Sequence, residues 1–207
     1  MTNSLKVVIL AKSYKNGGFC VGGLDMNTNQ WVRIVSDDEE SHGAVFHGSM
    51  KFQDGSYCQP LDVVRVPVLQ ELPGIYQPEN VLMDRSRRWV KICEMSIQEV
   101  LAFHEPEIYR YLLGNSYPYI TSDYIDRAGR SLILVKVQDF VITDAEHHKA
   151  SFVYNTVRYE NMSVTDPDYY TEENGMRIAQ AALIMSLPDV PYNERYFYKF
   201  IAKIYPL

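Results

Sequence analysis

The sequence predicts an all-β dominated protein with a few short helices, folded as two small β-barrels. Three observations carry this. The chain holds sixteen Tyr and eight Phe, with frequent Val and Ile, in short runs suited to a pleated, half-buried surface. Gly, Asn, Asp and Pro cut those runs at intervals that fit strands and are too short for long helices. Strand-like runs fill both halves of the 207 residues on either side of a capped helical stretch, and this length serves one large core or two small ones.

In the first half, strands are expected at residues 6–13, 18–25 and 30–36. Asn27, Thr28 and Asn29 form a tight turn between the second and third, because Asn tolerates positive φ. Residues 37–60 open with Asp37, Asp38, Glu39 and Glu40 and continue with small polar residues, so they read as a solvated excursion without chemistry. Further strands are expected at 61–69 and 89–93. Ser96 and Glu99 then form a capping box, followed by Ile97, Val100, Leu101 and His104 at helical spacing. Glu105 and Pro106 open a second helix, with Pro106 near its first position, that ends at Leu113 before Gly114.

Short strands resume at 131–143, 150–154, 157–165, 181–187 and 195–205, with Asn155 and Thr156 as a two-residue hairpin turn. Residues 176–180 are expected to be helical before the strand at 181. The last strand has one face of Tyr196, Tyr198, Phe200, Ala202 and Ile204, which reads as core. Its other face interleaves Phe197, Lys199, Ile201, Lys203 and Tyr205, which reads as a barrel exterior with snorkelling lysines or as a binding surface. Five strands with a helix near the fourth is the element count of an OB-fold. Both halves fit it, as residues 1–95 and 115–207 joined by a helical connector at 96–114.

Charge and motif patterns exclude several classes. With 20 Lys and Arg against 26 Asp and Glu, the net charge of -6 gives no global basic footprint, so nucleic-acid binding would have to be local. Cys20, Cys58 and Cys93 fit neither a disulfide framework nor a zinc knuckle, and a reducing cytoplasm is the expectation. No apolar run reaches membrane-spanning length and no leader pattern is read, so a soluble, non-membrane protein is expected. Phosphate-cradling glycine motifs are missing from the sequence. His42 with His47, and His147 with His148, are too few for zinc. Asp139, Asp144, Asp166 and Asp168 could bind Mg²⁺, yet they fall at strand ends and turns where Asp ordinarily caps. Cys20 reads as a small buried hydrophobe. No enzyme, metal or cofactor is expected.

Two basic stretches stand out. Residues 1–36 carry Lys6, Lys12, Lys15 and Arg33 against Asp25 alone, and Trp31 shares a strand face with Arg33, which pairs a stacking ring with a guanidinium. The plainer reading makes Trp31 a core residue with the Arg33 stem packed on it. Arg85, Arg87, Arg88 and Lys91 surround Trp89, an arrangement suited to phosphate or to a solvated loop. Opposing them, Glu160, Asp166, Asp168, Glu172 and Glu173 follow without an intervening base. That flank would repel nucleic acid and would suit a basic protein partner.

The run from Val7 to Ser13 with Lys15, Gly18, Cys20, Gly22 and Gly23, followed by Trp31-Val32-Arg33-Ile34-Val35-Ser36, resembles the start of the bacterial dual OB-containing domain. Phe152 to Tyr159, Val164-Thr165-Asp166-Pro167, Ser186-Leu187 and Tyr198 to Ala202 are similar to later parts of that family. Where its members usually carry Pro after the Trp-x-Arg unit, this chain has Ile34. The resemblance implies two OB barrels and a nucleic-acid-sensing or nucleic-acid-binding role, often beside phage-defence genes, and supplies no catalytic residues. The expectation is therefore a non-catalytic module binding single-stranded DNA or RNA through Lys12, Lys15, Trp31, Arg33, Arg85, Arg87 and Arg88. The alternative is an accessory subunit of a defence system that docks a protein partner through the acidic flank.

Overall fold

The computed structural model describes residues 3–15, 17–122 and 129–207. The chain forms two compact units, Met1–Gly74 with Glu79–Glu105, and Ile75–Pro78 with Pro106–Leu207. The helix that was expected to stand as a connector lies inside the first unit.

In the first unit, β1 (Ser4–Lys15), β2 (Gly18–Asp25), β3 (Trp31–Val35), β4 (Asp62–Glu71) and β5 (Asn80–Met83) make a closed circuit. β1 pairs with β2, β2 with β3, β3 with β5, β5 with β4, and β4 back with β1. Only the β3–β5 pairing is parallel. β6 (Val90–Glu94) adds to the outer edge of β4, and α1 (Ile97–Phe103) follows it. The capping box forms as expected: Ser96 Oγ accepts from Glu99 N–H at 3.2 Å, and Ser96 N–H donates to Glu99 Oε2 at 2.7 Å.

The second unit contains β7 (Tyr119–Thr121), β8 (Leu132–Asp144), β9 (Lys149–Tyr154), β10 (Val157–Val164), β11 (Arg177–Ser186), β12 (Tyr196–Tyr198) and β13 (Phe200–Pro206). β8, β9, β10, β13 and β11 close a barrel in that order, while β7 and β12 pair as a two-stranded ribbon. Its one parallel pairing, β10–β13, joins the third and fifth strands of the ring, as β3–β5 does in the first unit. Both rings thus follow the order first, second, third, fifth, fourth, which is the OB arrangement the element count predicted.

Local chemistry fixes the tight places. Asp25 accepts from Asn27 N–H and Thr28 Oγ1, each at 3.0 Å, and Asn29 takes φ 55°. Asn155 and Thr156 take φ 46° and 67°, both positive as a two-residue hairpin turn of this hand requires. β1 bulges between Ile9 and Ala11, opposite Gly23 and Gly22. A Cβ on Gly23 would sit 2.1 Å from the Val8 carbonyl oxygen, so the two backbones approach more closely than any side chain permits. Inside the first ring, Val7, Ile9, Val21, Ile34, Val64 and Trp89 pack together; inside the second, Ile133, Phe140, Phe152, Tyr159, Leu183 and Ile201 do so.

Four local expectations are corrected. Residues 105–113 are not a second helix, and only Leu112–Gly114 form a 3-10 turn. The groups that would make helical hydrogen bonds are taken elsewhere. Glu107 N–H donates to Leu134 O at 2.9 Å and its carboxylate accepts from Leu134 N–H at 2.8 Å. Tyr154 Oη accepts from Tyr109 N–H at 2.7 Å, and Tyr159 Oη accepts from Leu112 N–H at 2.8 Å. Residues 177–180 are strand, because β11 runs unbroken from Arg177 beside β8. The excursion at 37–60 is not solvated throughout: Ala44, Val45, Met50, Phe52 and Cys58 are buried and several join the first core.

The last run is two strands broken at Lys199, and both of its faces are largely covered: Phe197, Lys199, Ile201, Lys203 and Tyr205 are buried, as are Ala202 and Ile204 of the face expected as core, while Tyr196, Tyr198 and Phe200 are half-buried. A register shift after Ile201 puts Ile204 in the core with Phe197 and Ile201, so Lys203 is buried beside Asp166 and not in the barrel core. The ammonium groups have internal partners. Lys199 Nζ donates to Asn115 O and Oδ1, both at 2.8 Å. Lys203 Nζ pairs with Asp166 at 3.1 Å and with Asp168. One segment crosses in sequence between the strands of the other unit: Tyr76 packs edge-on to Phe197 with centroids 4.7 Å apart, and Gln77 Nε2 donates to Leu187 O at 3.0 Å.

Two outcomes test this packing. Gly23→Ala must displace the Val8 carbonyl, so it is expected to cost at least about 3 kcal/mol in denaturant melts, in the range of the severe single substitutions. Burial lowers the Lys199 ammonium from 10.5 to about 7. The folded state therefore binds fewer protons than the unfolded chain between those values, and stability rises with pH through that window. From pH 7 to 9 the rise is expected at about 1 kcal/mol per unit, and Lys199→Met should flatten it in pH-dependent melts.

Candidate nucleic-acid interface

At the β1–β2 hairpin, the final rungs pair Tyr14 with Phe19 and Lys15 with Gly18. Directly paired residues share a face, and the Tyr14 and Phe19 rings stack with centroids 5.0 Å apart. Strand alternation places Lys12 on the same face as Tyr14. Its ammonium lies 5.3 Å from the Phe19 ring and donates to Cys58 O and Gln59 Oε1, each at 3.0 Å.

The excursion between β3 and β4 extends this row. Phe19 and Val45 exchange backbone hydrogen bonds of 2.9 and 2.8 Å, which starts the 3-10 turn His47–Met50 beside β2. The His47 ring lies 6.0 Å from Phe19. A small hairpin then bridges Lys51 to Tyr57 and turns at Asp54 and Gly55, the latter at φ 92°. Asp54 accepts from Ser56 N–H and Oγ at 2.9 and 2.6 Å, which holds its carboxyl below the usual range. The return strand lays Tyr57 on His47, with centroids 3.8 Å apart and planes at 14°. Lys51 Nζ sits 5.7 Å from the Tyr57 ring.

The result is a continuous row of four rings, Tyr14, Phe19, His47 and Tyr57, flanked by Lys12 and Lys51. Tyr14 is 55% exposed and His47 is exposed, so bases could reach the row. Beside Tyr57 opens a depression of about 590 Å³ whose wall includes His47, Phe52, Gln59, Asp62, Lys91 and Glu94. Asp62 lies 2.5 Å from Lys91 Nζ, and that hydrogen bond holds the lysine charged, above its usual range. Arg88 reaches the edge of the same region, its Nη1 donating to Phe52 O at 3.4 Å.

Of the residues expected from the sequence, Lys12 lies on the row, Lys15 on the next rung, and Arg88 at the depression. Arg87 is exposed in the turn after Asp84. Arg85 is ion-paired to Asp37 at 3.5 Å and Asp38 at 2.7 Å, so its charge is already matched by acids. Trp31 and Arg33 are corrected. They do not form an exposed platform, being 8% and 2% exposed, because β3 lies between β2 and β5 with every residue buried. Trp31 meets His104 edge-on at 5.8 Å. Arg33 contacts Cys20 Sγ and pairs with Glu79 at 3.6 Å.

His47, Lys51 and Tyr57 were passed over because the excursion opens with four acids. The signal was present: Asp54-Gly55, flanked by Phe52 and Tyr57, is a hairpin turn between aromatics. The corresponding place in the second barrel also carries a stacked pair, His148 on Tyr170 with centroids 4.1 Å apart and planes at 13°. There, however, the neighbours along the chain are mostly acids, Asp144, Glu146, Glu172 and Glu173, and the adjacent Lys149 donates to Ser163 Oγ at 2.8 Å. The β7–β12 ribbon adds a tyrosine cluster, with Tyr119 against Tyr196 at 4.7 Å and against Tyr198 at 5.9 Å.

Two five-stranded rings of OB order, one bearing a lysine-flanked aromatic row, define a protein of the OB-fold class. More narrowly, the chain belongs to the dual OB-containing domain family, whose model matches residues 5–204. Neither the curated proteins nor the solved structures contain a match to it. No helix among the described residues is long and apolar enough to cross a membrane.

Because Glu79 would be left buried without its cation, Arg33→Met is expected to destabilise the fold by about 3–5 kcal/mol in denaturant melts. Glu79→Gln in the same background should recover part of that loss.

Proposed function

We propose that the protein is a non-catalytic module that binds single-stranded DNA or RNA on its first barrel. The observation that carries this is the row of four contiguous rings with lysine ammonium groups set against it. Stacking on an aromatic ring stabilises an unpaired base by about 1–3 kcal/mol and tolerates any sequence, while lysines beside the rings meet the backbone phosphates. The arrangement supports this more than the total charge does. Each unit carries ten Lys and Arg against thirteen Asp and Glu, so only local placement distinguishes them. Acids elsewhere keep the affinity modest.

Asp166 and Asp168 both hold Lys203, which places a protein cation where a catalytic metal would have to sit. That supports a binding role over a nuclease. The setting implied by the family resemblance, bacterial phage defence, together with the reducing cytoplasm expected from the cysteines, suits a sensor of exposed single strands. The acid-flanked His148–Tyr170 stack favours a second reading, docking of a basic protein partner on the second barrel.

Fluorescence-anisotropy titration of labelled dT12 and rU12 across salt tests the proposal. Log affinity should fall against log salt with a slope of roughly -0.7 per phosphate contacted. Tyr57→Ala and His47→Ala should each weaken binding by roughly 5- to 150-fold, the equivalent of about 1–3 kcal/mol. With Mg²⁺ or Mn²⁺ added, the strands should be recovered uncut, and cleavage would overturn the non-catalytic reading. Absence of binding at low salt, or binding indifferent to Tyr57 and His47, would overturn the site and leave partner docking.

A further inference from the structure

Resting on that single-strand reading, we infer that the depression beside Tyr57 reads one base of the bound strand and that the base it prefers is guanine. The Lys12 side of the row and the Lys91 side differ in charge. At the depression, Lys91 lies between two carboxylates, 2.5 Å from Asp62 and 3.4 Å from Glu94, so the three groups sum to one negative charge. A phosphate placed there would face two carboxylates and a lysine already matched by them. The edge of a base with N–H donors is the complement.

The Asp62 carboxylate is occupied on both oxygens, by Lys91 and by Gln59 N–H at 2.9 Å, and is nearly fully buried. Glu94 is the group left to face outward, its side chain 68% exposed with one oxygen toward Lys91. The pair therefore offers an ammonium donor next to a carboxylate acceptor. Guanine presents the matching series on its Watson–Crick edge: the O6 acceptor, then N1–H, then the N2 amine. Lysine is a recognised donor to guanine O6, and a carboxylate can accept from N1–H and the N2 amine together. Thymine and uracil offer one imide N–H to that carboxylate, and cytosine and adenine offer one amine, so guanine alone engages both oxygens. Unpaired bases expose this edge freely, and the Tyr57–His47 stack supplies the platform on which the ring would lie.

The site is open to water, so discrimination belongs at the low end of what bidentate base contacts give, about five- to tenfold. The test uses the full chain and three labelled strands: dT12, dT12 with one central dG, and the same strand with inosine, which lacks the N2 amine, at that position. A single guanine avoids self-association of the strand. The dG strand is expected to bind about five- to tenfold tighter than dT12, with inosine between them. In Glu94→Gln the ratio of dG to dT12 affinity should fall close to one. Equal binding of all three strands, or a preference that survives Glu94→Gln, would overturn guanine reading while leaving single-strand binding in place. Failure of every strand to bind would remove both.

Discussion

Each barrel is closed by a parallel seam of very few rungs, and in each a buried ion pair sits at that seam. β3 and β5 share three rungs, from Arg33–Asn80 to Val35–Leu82, while β10 and β13 share two. Parallel pairing is the weaker ladder, and a ring that fails to close exposes two edges. In the first ring Arg33 meets Glu79, just before β5; in the second Lys203 of β13 meets Asp166, just after β10. Asp166 adds a second hold, accepting from Ile204 N–H at 2.9 Å. A buried pair of this kind contributes little net stability, because desolvation offsets attraction. It does discriminate: a seam closed one residue out of register would bury a charge without its counter-charge. At Asp166 desolvation dominates and raises the carboxyl despite Lys203.

The aromatic row depends on closure of the first ring. With β3 enclosed, the chain leaving it must return over 26 residues to β4, and the Phe19–Val45 bridge pins that return against the β1–β2 hairpin. The four rings are therefore contributed by two segments that the barrel brings to one end. The second barrel repeats the geometry of a histidine stacked on a tyrosine with mostly acidic residues around it. One architecture used twice, with different side chains on the same scaffold, separates what the fold supplies from what the sequence adds to it.

Strands with their own turn chemistry were legible in the sequence. The hairpins at Asn27–Asn29 and at Asn155 and Thr156, the Ser96 capping box and the glycine pair opposite the β1 bulge all follow from residues within a few positions of one another. What was not legible depends on distant partners. Nothing near Lys199 or Lys203 announces Asn115 or Asp166, so alternation alone put both lysines outside. Residues 105–113 carry a helix start, yet Leu134, Tyr154 and Tyr159 take their backbone groups. β5 is four residues long behind a proline-containing loop, too short to read, although it closes the ring. Trp31 and Arg33 were correctly placed on a strand, and of the two readings of that strand the fold selects the plainer one, because it has no open face.

The segment Ile75–Pro78 has a consequence for biogenesis. It lies between β4 and β5 in sequence, yet its native contacts are with Leu187 and Phe197, more than a hundred residues downstream. On the ribosome the first ring is synthesised with those four residues still lacking their partners, and the second unit reaches its complete set only once its penultimate strand has emerged. Cutting the gene between codons 105 and 106 would not yield two whole domains, because the downstream fragment would lack Tyr76 and Gln77. Independent production of the second barrel calls for a permuted chain that restores this short piece, with its order of synthesis reversed.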